Sequence, residues 1–436
     1  MNTNARTWLQ CVDCSETYYR NAKLYNCPKC GGLLDVQHDL DYLRTRVSTD
    51  LFDQRLGGFK TWERSGVWRY RELIAPELAE EEMVTRGEGN TMLYDSPPWL
   101  AQFTGHKKLQ LKHEGENPTG SFKDRGMTTG VSQAKHLGAH AVICASTGNT
   151  SASMASYAAL TGLQGVVAIP AGKIALGKVA QAIAYGATCL EICGDFDQAQ
   201  KLVLDAANKL PVYMLNSVNP FRLEGQKTIM LEMLQQRRWK VPDWVVVPGG
   251  NLGNSSSFGK AFMELHHLGI IKRMPRIAIV QAEGASPFFR SWQGDFKEHI
   301  TMKAETLATA IRIGDPTNYT KAKRTIEVTG GLVVCVTDQD IMDAKACIDA
   351  AGIGCEPASA ASVAGVRQLV EQGEIRPNDE VVAILTGHLL KDPDAVIEYH
   401  KGNLEDIAPN YRNQIHQIEA DFDAMSAWVT APASPQ

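Results

Sequence analysis

The feature that most constrains the fold is an alternation, from about residue 141 onward, of short apolar runs with longer stretches of helical pattern. The apolar runs are Ala141–Ser146, Gly165–Pro170, Thr188–Ile192, Trp244–Pro248, Arg276–Gln281 and Val381–Leu385. The stretches of helical length include Ser151–Leu160, Phe196–Lys209 and Arg222–Arg238. Near-continuous apolar strands separated by helices predict parallel sheets covered by helices on both faces. The predicted fold class is α/β.

The length of the chain, 436 residues, exceeds what one hydrophobic core usually supports, so more than one domain is expected. We place a small amino-terminal ribbon at 1–35, a first large domain at 36–225 and a second at 226–405. The remainder, 406–436, is predicted to be a helical extension ending in a disordered tail that is rich in Pro, Ala and Ser.

Charge and hydropathy exclude several classes of function. A net charge of -5 gives no electrostatic drive towards nucleic acid or an anionic membrane. The start of the chain, Met1–Trp8, lacks the features of a secretory signal, and no apolar stretch is long enough to span a bilayer. We therefore expect a cytoplasmic protein that binds neither nucleic acid nor membrane.

Three polar or glycine-rich loops follow predicted strands: Ser146–Thr150, Pro248–Asn254 and Thr386–His388. Ligands of parallel sheets bind beyond the carboxyl ends of the strands, so these loops are the candidate binding residues. Ser146–Thr150 could bind a carboxylate with its amides and hydroxyls, although a plain helix cap is the simpler alternative. In Gly249–Asn254, glycines before a helix could cradle a phosphate, and a purely structural turn is the alternative interpretation. The spacing of the glycines departs from the fingerprint of dinucleotide-binding loops.

Lys123 lies in the run Asn117-Pro-Thr-Gly-Ser-Phe-Lys-Asp-Arg-Gly-Met127. On its own it would be read as a surface cation paired with Asp124. The Pro and Gly of this run favour a tight bend, and Ser121 is placed to cap a following helix. A cation at a helix start opposes the macrodipole, whereas a neutral imine removes that conflict. The context therefore favours a lysine that anchors a cofactor through its amine.

Four runs in this order resemble threonine synthases, which are pyridoxal 5'-phosphate enzymes of the tryptophan-synthase-β fold type, also called fold type II. The runs are 117–127, 144–151, Asn216-Ser-Val-Asn-Pro-Phe-Arg-Leu-Glu-Gly-Gln-Lys227 and Val247-Pro-Gly-Gly-Asn-Leu-Gly-Asn254. The lysine and glycine loops are shared across the fold type, whereas the run 216–227 is particular to threonine synthases. The resemblance extends from about Gly57 to Asp392.

The resemblance implies a role for each motif residue. Lys123 would carry the cofactor as a Schiff base, Asn149 would meet its phenolate oxygen, and Thr386 would face its ring nitrogen. The cofactor phosphate would be held by Gly250, Asn251, Leu252, Gly253 and Asn254. The carboxylate of the amino-acid substrate would be bound by Ser146, Thr147, Asn149 and Thr150, and the substrate phosphate by Ser217, Arg222 and Asn254.

The implied reaction converts O-phospho-L-homoserine and water to L-threonine and phosphate, in a protein expected to be a homodimer. Two alternatives stay open. The chain could be another enzyme of the same fold type, such as a serine/threonine dehydratase or a cysteate synthase-like protein, or a binding protein with an inactive enzyme fold. Glu356 is expected near the cofactor, but its sequence context gives it no role beyond favouring a helix start.

Four cysteines are bunched near the amino terminus as two Cys-x-x-Cys pairs: Cys11, Cys14, Cys27 and Cys30. This pattern is typical of zinc ribbons, and four thiolates leave no open coordination position for catalysis. The sequence therefore predicts a structural zinc site, with a metal-free ribbon as the alternative.

Overall fold

A computed structural model describes residues 6–171, 176–194 and 196–430. The strands are β1 (Thr7–Cys11), β2 (Thr17–Tyr19), β3 (Leu34–His38), β4 (Leu93–Asp95), β5 (Leu109–His113), β6 (Ala141–Ala145), β7 (Gln164–Pro170), β8 (Thr188–Ile192), β9 (Val212–Met214), β10 (Trp244–Pro248), β11 (Arg276–Ala282), β12 (Leu332–Val336) and β13 (Val381–Leu385).

The α-helices are α1 (Leu40–Leu43), α2 (Thr49–Gln54), α3 (Pro98–Thr104), α4 (Lys123–His136), α5 (Asn149–Thr161), α6 (Leu176–Ala184), α7 (Phe196–Lys209), α8 (Pro220–Gln226), α9 (Thr228–Gln236), α10 (Gly253–His267), α11 (Pro287–Gln293), α12 (Tyr319–Thr329), α13 (Asp338–Ala350), α14 (Pro357–Glu371), α15 (Pro393–Lys401) and α16 (Phe422–Thr430). Short 3₁₀ helices cover Arg55–Gly57, Trp68–Leu73, Glu80–Glu82, Glu114–Glu116, Glu283–Ala285, Thr309–Ile311 and Leu389–Lys391. None of the described helices has the length and apolar character needed to cross a membrane.

The larger sheet has the strand order β12-β11-β10-β13-β5-β4. Its neighbouring strands run parallel except at the edge, where β4 pairs antiparallel to β5. On β10, Val245 and Val247 pack into one hydrophobic cluster, while Trp244 and Val246 pack into another. Both faces of the strand are therefore buried, which explains why its sequence is apolar throughout.

The smaller sheet has the order β8-β7-β6-β9, with all strands parallel. Its core is formed mainly with α4, α5 and α7. The two sheets and their helical layers confirm the predicted α/β class and the six predicted strands. A third, antiparallel sheet, β2-β1-β3, lies near the amino terminus.

The larger sheet draws strands from both of the predicted large domains. β4 and β5 precede the smaller sheet in the chain, yet β5 pairs with β13, which follows it. The division at residue 225 stays a prediction. The predicted helical extension contains α16, and residues 431–436 of the predicted tail lie outside the described residues.

The stretch Arg222–Arg238, predicted as one helix, forms two helices, α8 and α9, that meet at Lys227. The first begins earlier than predicted because Asn219 caps it. The side-chain oxygen of Asn219 accepts hydrogen bonds from Phe221 N at 3.0 Å and Arg222 N at 3.4 Å. Pro220 occupies the first helical position, where its missing N–H costs nothing.

A buried ion network fixes α4, the helix that begins at Lys123. Arg125 donates from Nε to Glu114 at 2.6 Å and from Nη2 to Glu232 at 2.7 Å. Lys112 Nζ donates to the same oxygen of Glu232 at 2.7 Å. All four side chains are buried, and two cations balance two carboxylates. The network therefore ties α4 to β5 and α9 without a net buried charge.

We predict that Glu232→Gln lowers the free energy of unfolding by about 3–5 kcal/mol, because it leaves two buried cations with one carboxylate. Burial alone would raise the pKa of Glu232, but the charges of Arg125 and Lys112 outweigh it and hold that pKa well below its usual value. Its stabilising contribution is thus complete above the unfolded pKa and is lost in acid. Denaturant unfolding should show the difference from wild type shrinking as the pH falls below about 4.

The matched control is Glu371→Gln, which breaks a single ion pair with Arg367 whose side chains are 63% and 40% exposed. We expect a change of at most about 0.5 kcal/mol there. Equal losses in the two variants would contradict the importance assigned to the buried network.

Candidate active site

Lys123 is held next to the carboxyl end of β13. Gly120 takes a left-handed conformation, with φ of 83°, and turns the chain into α4. The backbone then pairs with the segment after β13, because Ser121 bridges to Gly387 and Phe122 N donates to Thr386 O at 3.0 Å. Lys123 and Thr386 therefore lie on neighbouring stretches of backbone, although 263 positions apart in the sequence.

The prediction that Ser121 caps α4 is wrong. The cap position is occupied by Phe122, without a side-chain cap, and Ser121 Oγ is buried with no hydrogen-bond partner in the described structure. The turn is held instead by Asp124, whose carboxylate accepts hydrogen bonds from Thr119 N and Oγ1, each at 2.6 Å. Asp124, the carboxylate considered as a surface partner of the lysine, is thus buried and occupied by the turn.

The electrostatic environment of Lys123 favours a neutral amine. Burial lowers the pKa of Lys123 to about 7, and the charge of Arg222 acts in the same direction. The carboxyl group of Glu356 opposes both effects but does not cancel them. A neutral lysine amine is the form that reacts with a carbonyl group to give an imine.

Arg222 is a buried guanidinium without an acidic partner. Its side chain is 1% exposed, and Nη1 donates to the backbone oxygen of Leu215 at 2.9 Å. Nε has no hydrogen-bond partner, and no carboxylate of a described residue lies within salt-bridge distance of Arg222. Burial lowers its pKa to about 10, so it stays cationic at neutral pH. A desolvated cation of this kind is stabilised by a bound anion.

Glu356 connects the two sheets at this point. It occupies the N-cap position of α14 without a side-chain cap bond, and Pro357 follows at the first helical position. Its Oε2 accepts a hydrogen bond from Asn149 Nδ2 at 3.0 Å. Asn149 follows β6 of the smaller sheet, whereas α14 packs on the larger one. Burial raises the pKa of Glu356, which the Asn149 amide and nearby cations only partly offset. The sequence had assigned Glu356 no role, and only this long-range contact gives it one.

Thr386 belongs to the same group of side chains. Its Oγ1 lies 2.9 Å from Ser359 Oγ and 3.5 Å from Glu356 Oε1. Ser359 Oγ also accepts hydrogen bonds from the amides of Thr386 and Gly387, at 2.8 and 2.9 Å. Ser359 thereby fixes both the backbone and the hydroxyl of Thr386.

The glycine loop has the shape of an anion site. Leu252 has a left-handed conformation, with φ of 59°, directly before α10, so the first amides of that helix have no intrahelical acceptor. A Cβ atom on Gly250 would come within 3.1 Å of Ala310 O, and one on Gly253 within 3.1 Å of Gln226 Oε1. A side chain would be crowded at both positions, and most of all at Gly250, where the neighbours include backbone atoms. Glycine at these positions allows the backbone to approach an anion closely.

Asn318 joins the glycine loop to the segment that precedes Arg222. Its Nδ2 lies 3.2 Å from both Ser217 O and Asn251 O, and its backbone N donates to Asn251 O at 3.1 Å. Asn251 Oδ1 also accepts a hydrogen bond from Thr317 Oγ1 at 3.1 Å. Sequence reasoning did not detect Asn318, because nothing in its local context distinguishes it from an ordinary helix cap.

The remaining predicted residues lie in the loop after β6. Ser146, Thr147 and Thr150 are half-buried, and Gly148 N donates to Ser146 Oγ at 3.3 Å. Asn254 is buried on α10, and its Oδ1 has no hydrogen-bond partner in the described structure. The structure thus collects Lys123, Asn149, Thr386 and Arg222 around one junction of the sheets, while the roles of individual residues stay predictions.

Away from this junction, the four amino-terminal cysteines form a cluster. All are free thiols, and their Sγ atoms lie within 4.8 Å of one another. Among the described residues, none of the side chains grouped with these cysteines belongs to the junction around Lys123.

The chain is similar to known proteins along most of its length. Residues 84–387 match the family of pyridoxal-phosphate dependent enzymes. The chain is 46% identical over 390 residues to a threonine synthase of Methanocaldococcus jannaschii, an alignment that covers 89% of this chain and 94% of that protein. It is also 38% identical over 421 residues to the chloroplastic threonine synthase 2 of Arabidopsis thaliana, covering 94% of this chain and 81% of that one.

Among solved structures, threonine synthase from Escherichia coli superposes with a TM-score of 0.69 at 19% identity, covering 97% of this chain and 99% of that one. At that identity the superposition establishes the fold alone. The sequence matches establish more: the chain is a pyridoxal-phosphate dependent lyase, and it belongs to the threonine synthase family.

Proposed function

We propose that the protein converts O-phospho-L-homoserine and water to L-threonine and inorganic phosphate. The observation that carries this proposal is the buried Arg222, which has no carboxylate partner among the described residues and acts electrostatically on Lys123. A second anion site next to the cofactor lysine suits a substrate with its own phosphate. The alternative from the sequence analysis, a serine/threonine dehydratase or a cysteate synthase-like enzyme, would not need a site for a substrate phosphate.

The residues at the junction fit pyridoxal phosphate. Lys123 would hold the cofactor covalently, and the amides of Gly250, Asn251, Leu252, Gly253 and Asn254 would bind its phosphate. Asn149 Nδ2 has two hydrogens, of which one goes to Glu356, so the other is available for the phenolate oxygen. Thr386 would offer its hydroxyl to the ring nitrogen. When bound, the cofactor supplies the electron sink that makes the protons on Cα and Cβ of the substrate acidic.

Glu356 and Ser359 act as positioning residues for these contacts. Glu356 orients the amide of Asn149, and Ser359 fixes the hydroxyl of Thr386. Burial raises the pKa of Glu356, because it disfavours the negatively charged form of the carboxyl group.

Lys123 also serves as the general base and acid. When it is not bonded to the cofactor, its Nζ would take the proton from Cα and release it before taking one from Cβ, because the amine holds one extra proton at a time. It would then return the Cβ proton to Cγ after phosphate leaves. A pKa of about 7 suits an amine that must both accept and donate protons near neutral pH. Water would then add its hydroxyl group at Cβ and give its proton to the released phosphate, and Cα would regain its proton.

Two groups would hold the substrate in this orientation. Arg222, Ser217 and Asn254 would bind the substrate phosphate, with Arg222 neutralising the leaving group. The carboxylate would be bound in the loop after β6, by Ser146, Thr147, Asn149 and Thr150. Cytoplasmic location and a homodimeric state are part of the proposal and do not affect this chemistry.

The direct test is phosphate release from O-phospho-L-homoserine, with the amino-acid product identified by chromatography and with L-serine, L-threonine and O-phospho-L-serine as rival substrates. We expect threonine and phosphate in equal amounts from the first substrate alone. Lys123→Ala should abolish this activity together with the visible absorbance of the bound cofactor. Turnover of L-serine without turnover of O-phospho-L-homoserine would establish the dehydratase alternative instead.

We predict that Arg222→Leu raises KM for O-phospho-L-homoserine by about 100-fold, because truncating one partner of a buried charge pair typically costs 2–5 kcal/mol. The cofactor absorbance and the spectral response to L-threonine, which has no phosphate, should change less than twofold.

The matched control is Arg69→Leu, since Arg69 is also buried but is bonded to Gln235 and lies outside the junction. It should lower stability without raising KM. If the two variants gave the same KM, Arg222 would have no special role in phosphate binding.

A second prediction concerns pH. The pKa of about 7 for Lys123 means that its neutral form predominates above pH 7. Covalent capture of pyridoxal phosphate by the apoenzyme, followed by stopped-flow absorbance, should therefore speed up as the pH rises to about 7 and then level off. Nα-acetyllysine, whose amine titrates near pH 10.4, gives the reference rates that correct for titration of the cofactor. A capture rate that keeps rising up to pH 9, as the rate for Nα-acetyllysine does, would contradict the lowered pKa of Lys123.

A further inference from the structure

We propose that Cys11, Cys14, Cys27 and Cys30 bind one structural zinc ion, and that the metal-bound ribbon positions Arg222 for phosphate binding. The inference deepens the proposed function and rests on it for the role of Arg222.

The sulfur atoms have the spacing of a tetrahedral metal site. Cys30 Sγ lies 3.4 Å from the Sγ atoms of both Cys11 and Cys14, and Cys14 Sγ lies 3.6 Å from that of Cys27. Zinc–sulfur bonds of about 2.3 Å in a tetrahedron place the sulfurs about 3.8 Å apart. A disulfide would need about 2.05 Å. Four thiolates, rather than two disulfides, fit this arrangement.

The surroundings of the sulfurs supply the donors that thiolate ligands need. Backbone amides two and three positions after the first cysteine of each pair donate to its sulfur: Asp13 and Cys14 to Cys11, and Lys29 and Cys30 to Cys27. Tyr18 Oη also lies 3.0 Å from Cys27 Sγ. Such outer contacts orient metal ligands and offset the negative charge that four thiolates bring to one cation.

The ribbon shares its hydrophobic core with α8. The buried members of this core are Leu9, Cys11, Cys27, Leu34, Val36 and Phe221. Phe221 comes from outside the ribbon and directly precedes Arg222. Its side chain is 3% exposed, and the guanidinium of Arg20 lies 5.5 Å from its ring centroid. Two of the four proposed metal ligands therefore pack in the same cluster as the neighbour of Arg222.

Polar contacts hold β3 against the helices of the site. His38 Nε2 lies 2.8 Å from Glu224 Oε2 on α8, and Lys321 of α12 forms a 2.8 Å ion pair with Asp35. Lys260 of α10, the helix that follows the glycine loop, bonds to the backbone oxygen of Val36. The helices α8, α10 and α12, which carry or support the proposed anion-binding groups, therefore all contact β3.

A second group of potential metal ligands lies in this contact but does not suit a metal. His38, Glu224 and Glu264 come within 4.8 Å of one another. Lys227 Nζ already pairs with Glu224 at 2.5 Å and with Glu264 at 2.7 Å. Lys260 also pairs with both carboxylates. Two lysines of the chain therefore balance the two carboxylates, and the group acts as a polar contact between β3 and α8.

Loss of the metal should weaken the packing of the ribbon against α8. Three short strands with a small core do not usually fold without a metal or disulfides. An unfolded ribbon would leave Phe221 without its packing partners, and α8 would hold Arg222 less firmly. Lys123 and the glycine loop are not among the described residues of the ribbon core. α10 reaches β3 through Lys260, about two turns beyond the glycine loop, so we expect the cofactor to stay bound. Phosphate affinity is then the property that depends most on the metal.

The experiment uses the full-length holoenzyme, with Cys30→Ser as the ligand variant because Cys30 is the exposed member of the cluster. Cys193→Ser is the matched control, an exposed cysteine outside the ribbon. Metal analysis of protein produced in zinc-supplemented medium should give about one zinc per chain for wild type and for the control, and much less for Cys30→Ser. Wild type without bound metal would overturn the proposal.

Function is then measured as KM and kcat for O-phospho-L-homoserine, and as the dissociation constant of inorganic phosphate by calorimetry. In Cys30→Ser, both KM and that constant should rise by about fivefold or more, with kcat and the cofactor absorbance changed less than twofold. Loss of zinc with unchanged phosphate affinity would overturn the link to Arg222. Phosphate binding does not require turnover, so it tests this link even if the proposed reaction were wrong.

Two further measurements cover the case in which Cys30→Ser does not fold. Phe221→Leu should keep its zinc yet weaken phosphate binding, because it alters the packing next to Arg222 and leaves the thiolates intact. Wild-type holoenzyme stripped by a chelator should lose phosphate affinity and regain it when zinc is added. Unchanged phosphate affinity in both measurements would contradict the proposal.

Discussion

The desolvation of two basic side chains at one junction is the constraint on which the rest of the structure depends. Lys123 is half-buried and Arg222 is buried, and desolvation lowers their pKa values, to about 7 and about 10. Burying them costs free energy that only the bound cofactor and anion can return. The fold therefore has to hold both side chains in place before any ligand arrives. Arg125 does so for α4 through its carboxylate partners, and Asn219 does so for α8 through its cap.

The proposed binding residues come from different parts of the fold. The smaller sheet contributes Asn149, the larger sheet contributes Thr386 and the glycine loop, and the contact between Asn149 and Glu356 joins the two. The proposed positions of cofactor and substrate therefore lie where the two sheets approach each other. The ribbon packs on the side of Arg222 through Phe221, and no carboxylate of a described residue pairs with Arg222 there.

Most of the sheet architecture was predictable from the sequence, because strands buried on both faces are apolar throughout. β12, Leu332–Val336, has the same pattern and was detectable, although it was not predicted. β5 alternates apolar with polar residues and includes Lys112, whose burial depends on Glu232, 120 positions away. Glu356 was noticed but not assigned, since its partner Asn149 lies 207 positions away. Local patterns do not encode such pairings, and for the same reason the wrong cap was assigned to α4.

The central claim is that phosphate leaves by elimination from carbon and that water then adds to carbon. Turnover of O-phospho-L-homoserine in water labelled with oxygen-18 tests it most directly, with threonine examined by mass spectrometry and phosphate by ³¹P NMR. The account predicts one heavy oxygen in the hydroxyl group of threonine and none in the released phosphate, because the C–O bond breaks. Heavy oxygen in the phosphate would show cleavage of the P–O bond and would contradict the account.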